Sequence, residues 1–195
     1  MGMGAGIFVC AASAGALQPT ILHESRAMKV AERSTPPRPE LQRFYYWDSF
    51  EAPLSRTDLD IDQIYLGIFS HYPCWAKWLL LARTRIVSVF GLKGPTAADF
   101  NRMETKSRYA VGDKIARFTL FALSEAEIVT GGNDKHLDFR VLVSRVHEDG
   151  VDKVVLSTVV SPHNFFGKAY LFLILPFHKF GIKTIMSNAV AAGRV

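Results

Sequence analysis

Residues capable of acid–base chemistry occur at every second position in one short stretch of the chain. They are Asp134, His136, Asp138 and Arg140. Because side chains alternate between the two faces of a β-strand, all four should share one face. A carboxylate beside an imidazole and a guanidinium can transfer a proton, orient the polar group of a ligand, or hold a metal ion. This row is therefore the first candidate for a functional site.

The strand that carries this row is predicted to pair with the next strand through a two-residue turn. Asp149-Gly150 separates two runs of β-forming residues, and Asp-Gly strongly favours a type I′ hairpin turn. The resulting register places His136 opposite His163, two positions away from Asp138 on the same face. We therefore expect His136, Asp138 and His163 to form one polar patch, and they are the candidate catalytic residues.

The same alternation favours a plainer interpretation of this row. Leu137, Phe139 and Val141 occupy the other face, which should meet the core, so the polar row would lie outside any cavity. There Asp138 and Arg140 would form an exposed ion pair worth about 0–1 kcal/mol. No further carboxylate or cysteine has the spacing of metal ligands, so neither a metal site nor a cofactor is predicted.

A second set of candidate residues comes from two predicted helices. Trp75 and Trp78 belong to a helix that begins at Pro73, although tryptophans at this spacing are typical of core packing. Asn164 suits the N-cap of a long C-terminal helix, whose His178 can bind a ligand or satisfy a carbonyl freed by the preceding proline. The candidate ligand-binding residues are Arg140, Asn164, Tyr170, His178, Trp75 and Trp78.

The order of elements indicates one α+β domain. With 195 residues, of which 49% are hydrophobic, the chain can bury one large core. Residues 1–42, rich in Gly, Ala and Pro, are predicted to be a flexible or cleavable tail, and residues 43–195 the folded domain. The pattern is a strand, two helices, an antiparallel meander with a turn at Gly131-Gly132-Asn133, and one helix over 165–192.

The charge of the chain is unevenly distributed. The net charge is +5, and no acidic residue follows Asp152, whereas four lysines and Arg194 do. This pattern favours a solvated basic face over contact with a membrane surface, and no nucleic-acid partner is predicted. Two cysteines without metal-like spacing favour a cytoplasmic protein, and a signal-like apolar stretch from Ile7 to Leu17 leaves export as the alternative.

Several short motifs, taken in order, resemble one bacterial family. They are Asp48-Ser49-Phe50, Phe90-Gly91-Leu92-Lys93, His136-Leu137-Asp138-Phe139-Arg140, His163-Asn164 and Pro176-Phe177-His178. Together they are similar to the domain of unknown function 2867 over about residues 46–190. The resemblance implies the helix-grip fold of the START-like, or SRPBCC, superfamily, in which a curved antiparallel sheet wraps around a long C-terminal helix. It implies no activity.

Three function classes follow from these features. The leading hypothesis is a binding module, whose helix-grip cavity is lined by Phe and Trp and holds a small apolar ligand. The alternative is an enzyme that uses His136, Asp138 and His163 in acid–base chemistry. The third is a membrane-surface or structural protein that acts through the basic C-terminal helix. The oligomeric state is left open by the sequence.

Overall fold

The computed structural model describes residues 30–71 and 109–195. Two α-helices lie in these ranges, α1 (Ile61–Phe69) and α2 (Phe165–Ala191), together with a short 3-10 helix at Pro39–Arg43. One seven-stranded antiparallel sheet consists of β1 (Ala31–Glu32), β2 (Tyr46–Pro53), β3 (Lys114–Ile115), β4 (Phe118–Leu123), β5 (Glu127–Asn133), β6 (Leu137–Glu148) and β7 (Val151–Pro162). The predicted class is confirmed: an α+β, helix-grip-like fold in which a curved sheet accompanies a long C-terminal helix.

The core lies between one face of the sheet, which we call the inner face, and the two helices. The strand order is β1-β2-β7-β6-β5-β4-β3, so the first long strand lies beside the last one. Phe50 from β2 and Leu156 from β7 are fully buried on the inner face. Ile64 from α1 and Met186 from the second half of α2 pack in the same cluster. The inner face is therefore the one that α2 covers.

The β6–β7 hairpin forms at the predicted turn and in the predicted register. Asp149 and Gly150 have φ values of 54° and 73°, the left-handed values that a type I′ turn requires. Asp138 lies opposite Ser161. Val141 is buried in the main core, whereas Asp138 and its neighbours at even positions of β6 point to the opposite, outer face. The alternation predicted for this strand is confirmed.

The turn predicted at Gly131-Gly132-Asn133 is wrong. These three residues complete β5 and pair with β6, where Gly131 lies opposite Arg140 and Gly132 opposite Phe139. A Cβ atom on Gly131 would lie 2.2 Å from the carbonyl oxygen of Phe139, and one on Gly132 would lie 3.0 Å from its ring. The glycines therefore serve the close approach of a neighbouring strand and not a change of chain direction.

The turn follows these glycines, which moves one candidate residue off the strand. The backbone N–H of Asp134 donates to the carbonyl of Leu137 at 3.0 Å. The N–H of His136 is 3.3 Å from Oδ1 of the same aspartate, the local bond that makes aspartate common in turns. Strand β6 begins at Leu137, so His136 lies in the turn and not on the strand.

Part of the segment assigned to the N-terminal tail is packed against the sheet. Ala31 and Glu32 form β1 at the edge of β2. Leu41, in the 3-10 helix, is buried on the outer face with Leu142 and Val159. The prediction of a tail that extends to residue 42 therefore does not fit residues 31–42. The Pro-rich composition of this segment gives no sign of these two contacts, because both depend on residues of the sheet that are distant in sequence.

The second predicted helix, with Trp75 and Trp78, lies outside the described residues. Of the two helices predicted between the first strand and the meander, the earlier one forms as α1. Its N-cap residue is Asp60, whose backbone N–H donates to the side chain of Gln63 at 3.0 Å, one half of a capping box.

Acid should release β1 from the sheet. Arg33 donates to Glu51 at 2.8 Å and to Glu148 at 3.0 Å. The hydrogen bond from Arg33, supported by nearby positive charges, lowers the pKa of Glu148 below its usual value of 4.5. A carboxylate whose pKa is lowered by folding stabilises the fold at neutral pH, and this contribution is lost as the pH falls through the folded pKa. The amide of Arg33 donates to the carbonyl of Ser49 at 2.8 Å, so hydrogen exchange should show this amide protected at neutral pH and unprotected in acid.

The matched control for this titration is Arg33→Ala. Without the guanidinium, the pKa of Glu148 returns toward its usual value, so β1 should be poorly protected at neutral pH and little changed by acid. Equal protection of the wild-type segment at neutral and at acid pH, after correction for the intrinsic exchange rate, would contradict this role of Arg33.

Candidate functional site

Asp138 and His163 are neighbours at the open end of the β6–β7 hairpin. Nε2 of His163 lies 3.2 Å from Oδ2 of Asp138. The backbone N–H of His163 donates to the carbonyl of His136 at 2.8 Å, which continues the strand pairing past the end of β7. The side chains of His163 and Asp138 are 41% and 37% exposed, so this contact is largely open to water on the outer side of the sheet.

His136, the third member of the predicted patch, contacts the start of α2. The Oδ1 atom of Asn164 accepts from the N–H of Gly167 at 3.0 Å, which confirms the predicted N-cap. Nδ1 of His136 lies 3.0 Å from Nδ2 and 3.2 Å from Oδ1 of Asn164. Because Oδ1 already accepts the cap bond, we assign Nδ2 as the donor to His136 Nδ1. The imidazole thus joins the β5–β6 turn to the helix.

Arg140 stabilises the outer face of the sheet in a way that the sequence did not indicate. Its guanidinium donates to the carbonyls of Phe139 at 2.7 Å and Gly132 at 3.2 Å. The guanidinium carbon lies 3.7 Å from the centre of the Phe121 ring, a cation–π distance. The contacts of Arg140 are thus with backbone and ring, in place of the exposed pair expected with Asp138.

A buried carboxyl group lies on the inner face, on the other side of the sheet from Asp138. Asp48, in the middle of β2, has a side chain that is only 2% exposed. The hydroxyl of Tyr46, two residues earlier on the same face, donates to Oδ2 of Asp48 at 2.6 Å. Burial, followed by this hydrogen bond, raises the pKa of Tyr46 far above its usual value. Tyr46 therefore stays protonated and acts as a donor to Asp48.

His178 reaches the same carboxyl group from the helix. Helix α2 continues through Pro176, and Nε2 of His178 lies 3.2 Å from Oδ2 of Asp48. The two atoms are close enough for an ion pair, but their angles do not meet hydrogen-bond geometry. The imidazole of His178 therefore lies beside the buried carboxyl group of Asp48.

Thr158 completes this arrangement from β7. It lies directly opposite Asp48 in the antiparallel pair and is 4% exposed. Both Oγ1 of Thr158 and Oδ1 of Asp48 are buried, and neither has a hydrogen-bond partner within residues 30–71 and 109–195. We call Tyr46, Asp48, Thr158 and His178 the inner polar cluster.

Of the inner polar cluster, only His178 was a predicted site residue, although the alternation of residues in β2 also distinguishes Asp48. Asp48 alternates with Phe50 and Ala52, so the period of two places a carboxyl group among core side chains. A charged residue at such a position is rare unless it is paired or functional.

Tyr170, another predicted ligand-binding residue, is half-buried on α2.

The described residues do not suggest a metal centre. Within residues 30–71 and 109–195, no group of three or more His, Cys, Asp or Glu side chains is arranged to hold a metal ion. The inner polar cluster combines one carboxyl group with hydroxyl groups and one imidazole. Such a set can orient the polar group of an organic molecule or relay a proton.

Comparison with known proteins agrees with the motifs. The family model described as Protein of unknown function (DUF2867) matches residues 40–185. The chain belongs to this family. No curated protein and no solved structure gives a significant match. Asp48, Thr158 and His178 all lie within the matched residues of this DUF2867 domain, so the inner polar cluster belongs to the part of the chain that the family model describes.

Proposed function

We propose that this protein binds a small molecule with an apolar body and one hydrogen-bonding group, held between the inner face of the sheet and α2. The observation that carries the proposal is a pair of buried oxygens, Asp48 Oδ1 and Thr158 Oγ1, that have no partner in the part of the chain that the structure describes. Leaving a buried polar atom unpaired costs about 1–3 kcal/mol. A ligand that donates to one and bonds to the other recovers that cost.

The donor pattern indicates the chemistry of the ligand's polar group. Tyr46 donates to one oxygen of Asp48, so the carboxyl group acts as an acceptor. Its second oxygen, which no described residue contacts by a hydrogen bond, can accept from the ligand. The hydroxyl of Thr158 can donate or accept. An alcohol, amine or amide group satisfies both atoms, whereas a group without an N–H or O–H leaves Asp48 unpaired.

The surroundings of the cluster favour an apolar body. Val141 and Val160, which lie near Thr158 on the inner face, are buried. Leu171 is a buried residue in the first half of α2, seven positions before His178. Binding sites for small molecules are mostly apolar with a few well-placed polar groups. The helix-grip-like order of elements also supports membership of the START-like superfamily, and a cavity that holds the apolar body of the ligand remains part of this proposal.

The inner polar cluster is a better candidate than the outer pair of Asp138 and His163. The outer side chains are 37–41% exposed, so a large part of their surface meets water, and only Oδ1 of Asp138 is buried without a partner among the described residues. Asp48 is 2% exposed and lies among core residues, where an unpaired oxygen is costly. A role in acid–base chemistry for His136, Asp138 and His163 therefore has less support than ligand binding at Asp48.

Native mass spectrometry of the protein purified from its host tests this proposal. We expect the wild type to carry a small organic molecule that dissociates on denaturation. Asp48→Asn keeps the shape but replaces an acceptor with a donor, and Thr158→Val removes only the hydroxyl. A hydrogen bond to a carboxylate contributes about 1.5–3 kcal/mol, so Asp48→Asn should retain the molecule roughly 10–100-fold more weakly. A bond to a neutral hydroxyl contributes about 0.5–1.5 kcal/mol, so Thr158→Val should retain it about 2–10-fold more weakly.

Asp138→Asn is the matched control, because it makes the same chemical change in the outer pair. It should carry the molecule as the wild type does. If Asp138→Asn releases the molecule as strongly as Asp48→Asn, the site is not at the inner polar cluster. If the wild type carries no molecule and a crystal structure shows only water at Asp48 and Thr158, the binding proposal is wrong.

A further inference from the structure

One face of the first half of α2 is both apolar and exposed. At about 100° per residue, it occupies an arc of about 140° that contains no polar residue between positions 165 and 180. Its large side chains are 49–82% exposed: Phe165, Phe166, Phe172, Leu173, Phe177 and Phe180. We call these six residues the apolar stripe. Contiguous exposed apolar surface of this kind marks an interaction site in soluble proteins.

The charges beside the apolar stripe are positive. Lys168 and Lys179 lie along one border of the stripe, and Lys183 lies at its C-terminal end, whereas α2 contains no Asp or Glu. Glu32 pairs with Lys179 at 2.6 Å and with Lys183 at 3.3 Å. Both lysine side chains remain 42–47% exposed, and one carboxylate cannot neutralise both. The surface around the stripe therefore keeps a net positive charge.

An exposed tyrosine extends this surface at the start of α2. The Tyr45 side chain is 62% exposed, and the Lys168 ammonium group lies 5.3 Å from the centre of its ring. Tyrosine and lysine have apolar bodies with polar ends, and both are favoured where an apolar surface meets the headgroups of a bilayer. Phenylalanines flanked by such residues match the composition of a helix that lies in a membrane interface.

The rest of α2 is held by the protein, so the helix should lie on a membrane and not cross it. Within the described ranges, α2 is the one helix that is long and apolar enough to span a bilayer by length and composition alone, and 22% of its most apolar stretch is buried. However, Ile182, Ile185 and Met186 are buried in the core. His178 lies beside the buried Asp48. Spanning would require all of these contacts to break.

We propose that the apolar stripe docks on the surface of an anionic lipid bilayer, with α2 parallel to the membrane plane. The phenylalanines enter the boundary between headgroups and acyl chains, and Lys168, Lys179 and Lys183 lie at the level of the anionic headgroups. Binding then depends on both buried apolar area and negative lipid charge.

Vesicle co-sedimentation of the full chain tests this proposal. We expect stronger binding to phosphatidylcholine vesicles that contain phosphatidylglycerol than to phosphatidylcholine alone. Binding should weaken several-fold between about 0.1 and 1 M salt, because the screening length falls from about 10 to 3 Å. The double variant Phe172→Ser/Phe180→Ser should bind more than about tenfold more weakly, since two large apolar side chains no longer leave water.

The matched control is Val111→Ser/Val151→Ser, which removes two exposed apolar side chains far from the stripe in sequence and should bind vesicles as the wild type does. Circular dichroism checks that all variants are folded. Unchanged binding by the stripe variant, or equal binding to neutral and anionic vesicles, would overturn the proposal. So would a wild type that binds no vesicles but forms a dimer that the stripe variant loses, because the stripe would then pair with a second copy.

Discussion

Replacing Gly167 with alanine should destabilise the protein by about 1–3 kcal/mol, because the new methyl group has no space. A Cβ atom at this position would lie 2.1 Å from the carbonyl oxygen of His136 and 3.0 Å from its carbonyl carbon. Backbone atoms cannot move aside as the end of a side chain can. The start of α2 would have to shift from the β5–β6 turn, which would also disturb the N-cap bond from Gly167 to Asn164.

Gly181→Ala is the control, because it makes the same change in the same helix where the Cβ would meet nothing within 4 Å. Alanine has the higher helix propensity, so this variant should gain about 0.5–1 kcal/mol. Urea unfolding measures both free energies. Two variants that change the stability in the same direction would show that the close approach of Gly167 to His136 does not decide the helix position.

Phe50→Ala should have the largest effect on stability of any single change considered, about 3–5 kcal/mol. Phe50 has no exposed surface and is among the largest fully buried side chains of the core. Its removal loses the transfer free energy of the ring and leaves a cavity between the sheet and the helices. For a chain of this size, the melting temperature should fall by roughly 6–20 °C.

The control for Phe50 is Phe172→Ala, since the Phe172 side chain is 82% exposed. Its removal should change the free energy of unfolding by less than about 0.5 kcal/mol. Thermal and urea unfolding of the two variants compare a buried ring with an exposed one. A large loss at Phe172 would mean that the apolar stripe is covered in the folded protein, which would also count against its docking on a bilayer.

The sequence predicted those parts of the fold that depend on local chemistry. The Asp149-Gly150 turn formed because both residues tolerate positive φ, and the register of β6 and β7 followed from it. The N-cap at Asn164 depends only on its own side chain and the next few residues. Helix α1 formed where apolar residues recur at intervals of three and four.

Local patterns failed where the neighbouring strand decides the role of a residue. Glycine is common in turns, so the sequence predicts a turn at Gly131 and Gly132. They lie in β5 because Phe139 of the neighbouring strand approaches too closely for a side chain. Strand β1 was missed because two residues carry no pattern, and its position depends on pairing with β2 and on the contacts of Arg33 with Glu51 and Glu148.

The candidate site shows the same division between sequence and tertiary structure. Alternation in β6 placed Asp138 on the outer face, and alternation in β2 places Asp48 on the inner face, so the sequence by itself determined which carboxyl group faces the core. Only the tertiary structure decided the partners of Asp48. Thr158 reaches it from a strand more than 100 residues later, and His178 from the helix after that. Such contacts depend on strand order and helix placement, which the packing of the whole core determines and no local pattern encodes.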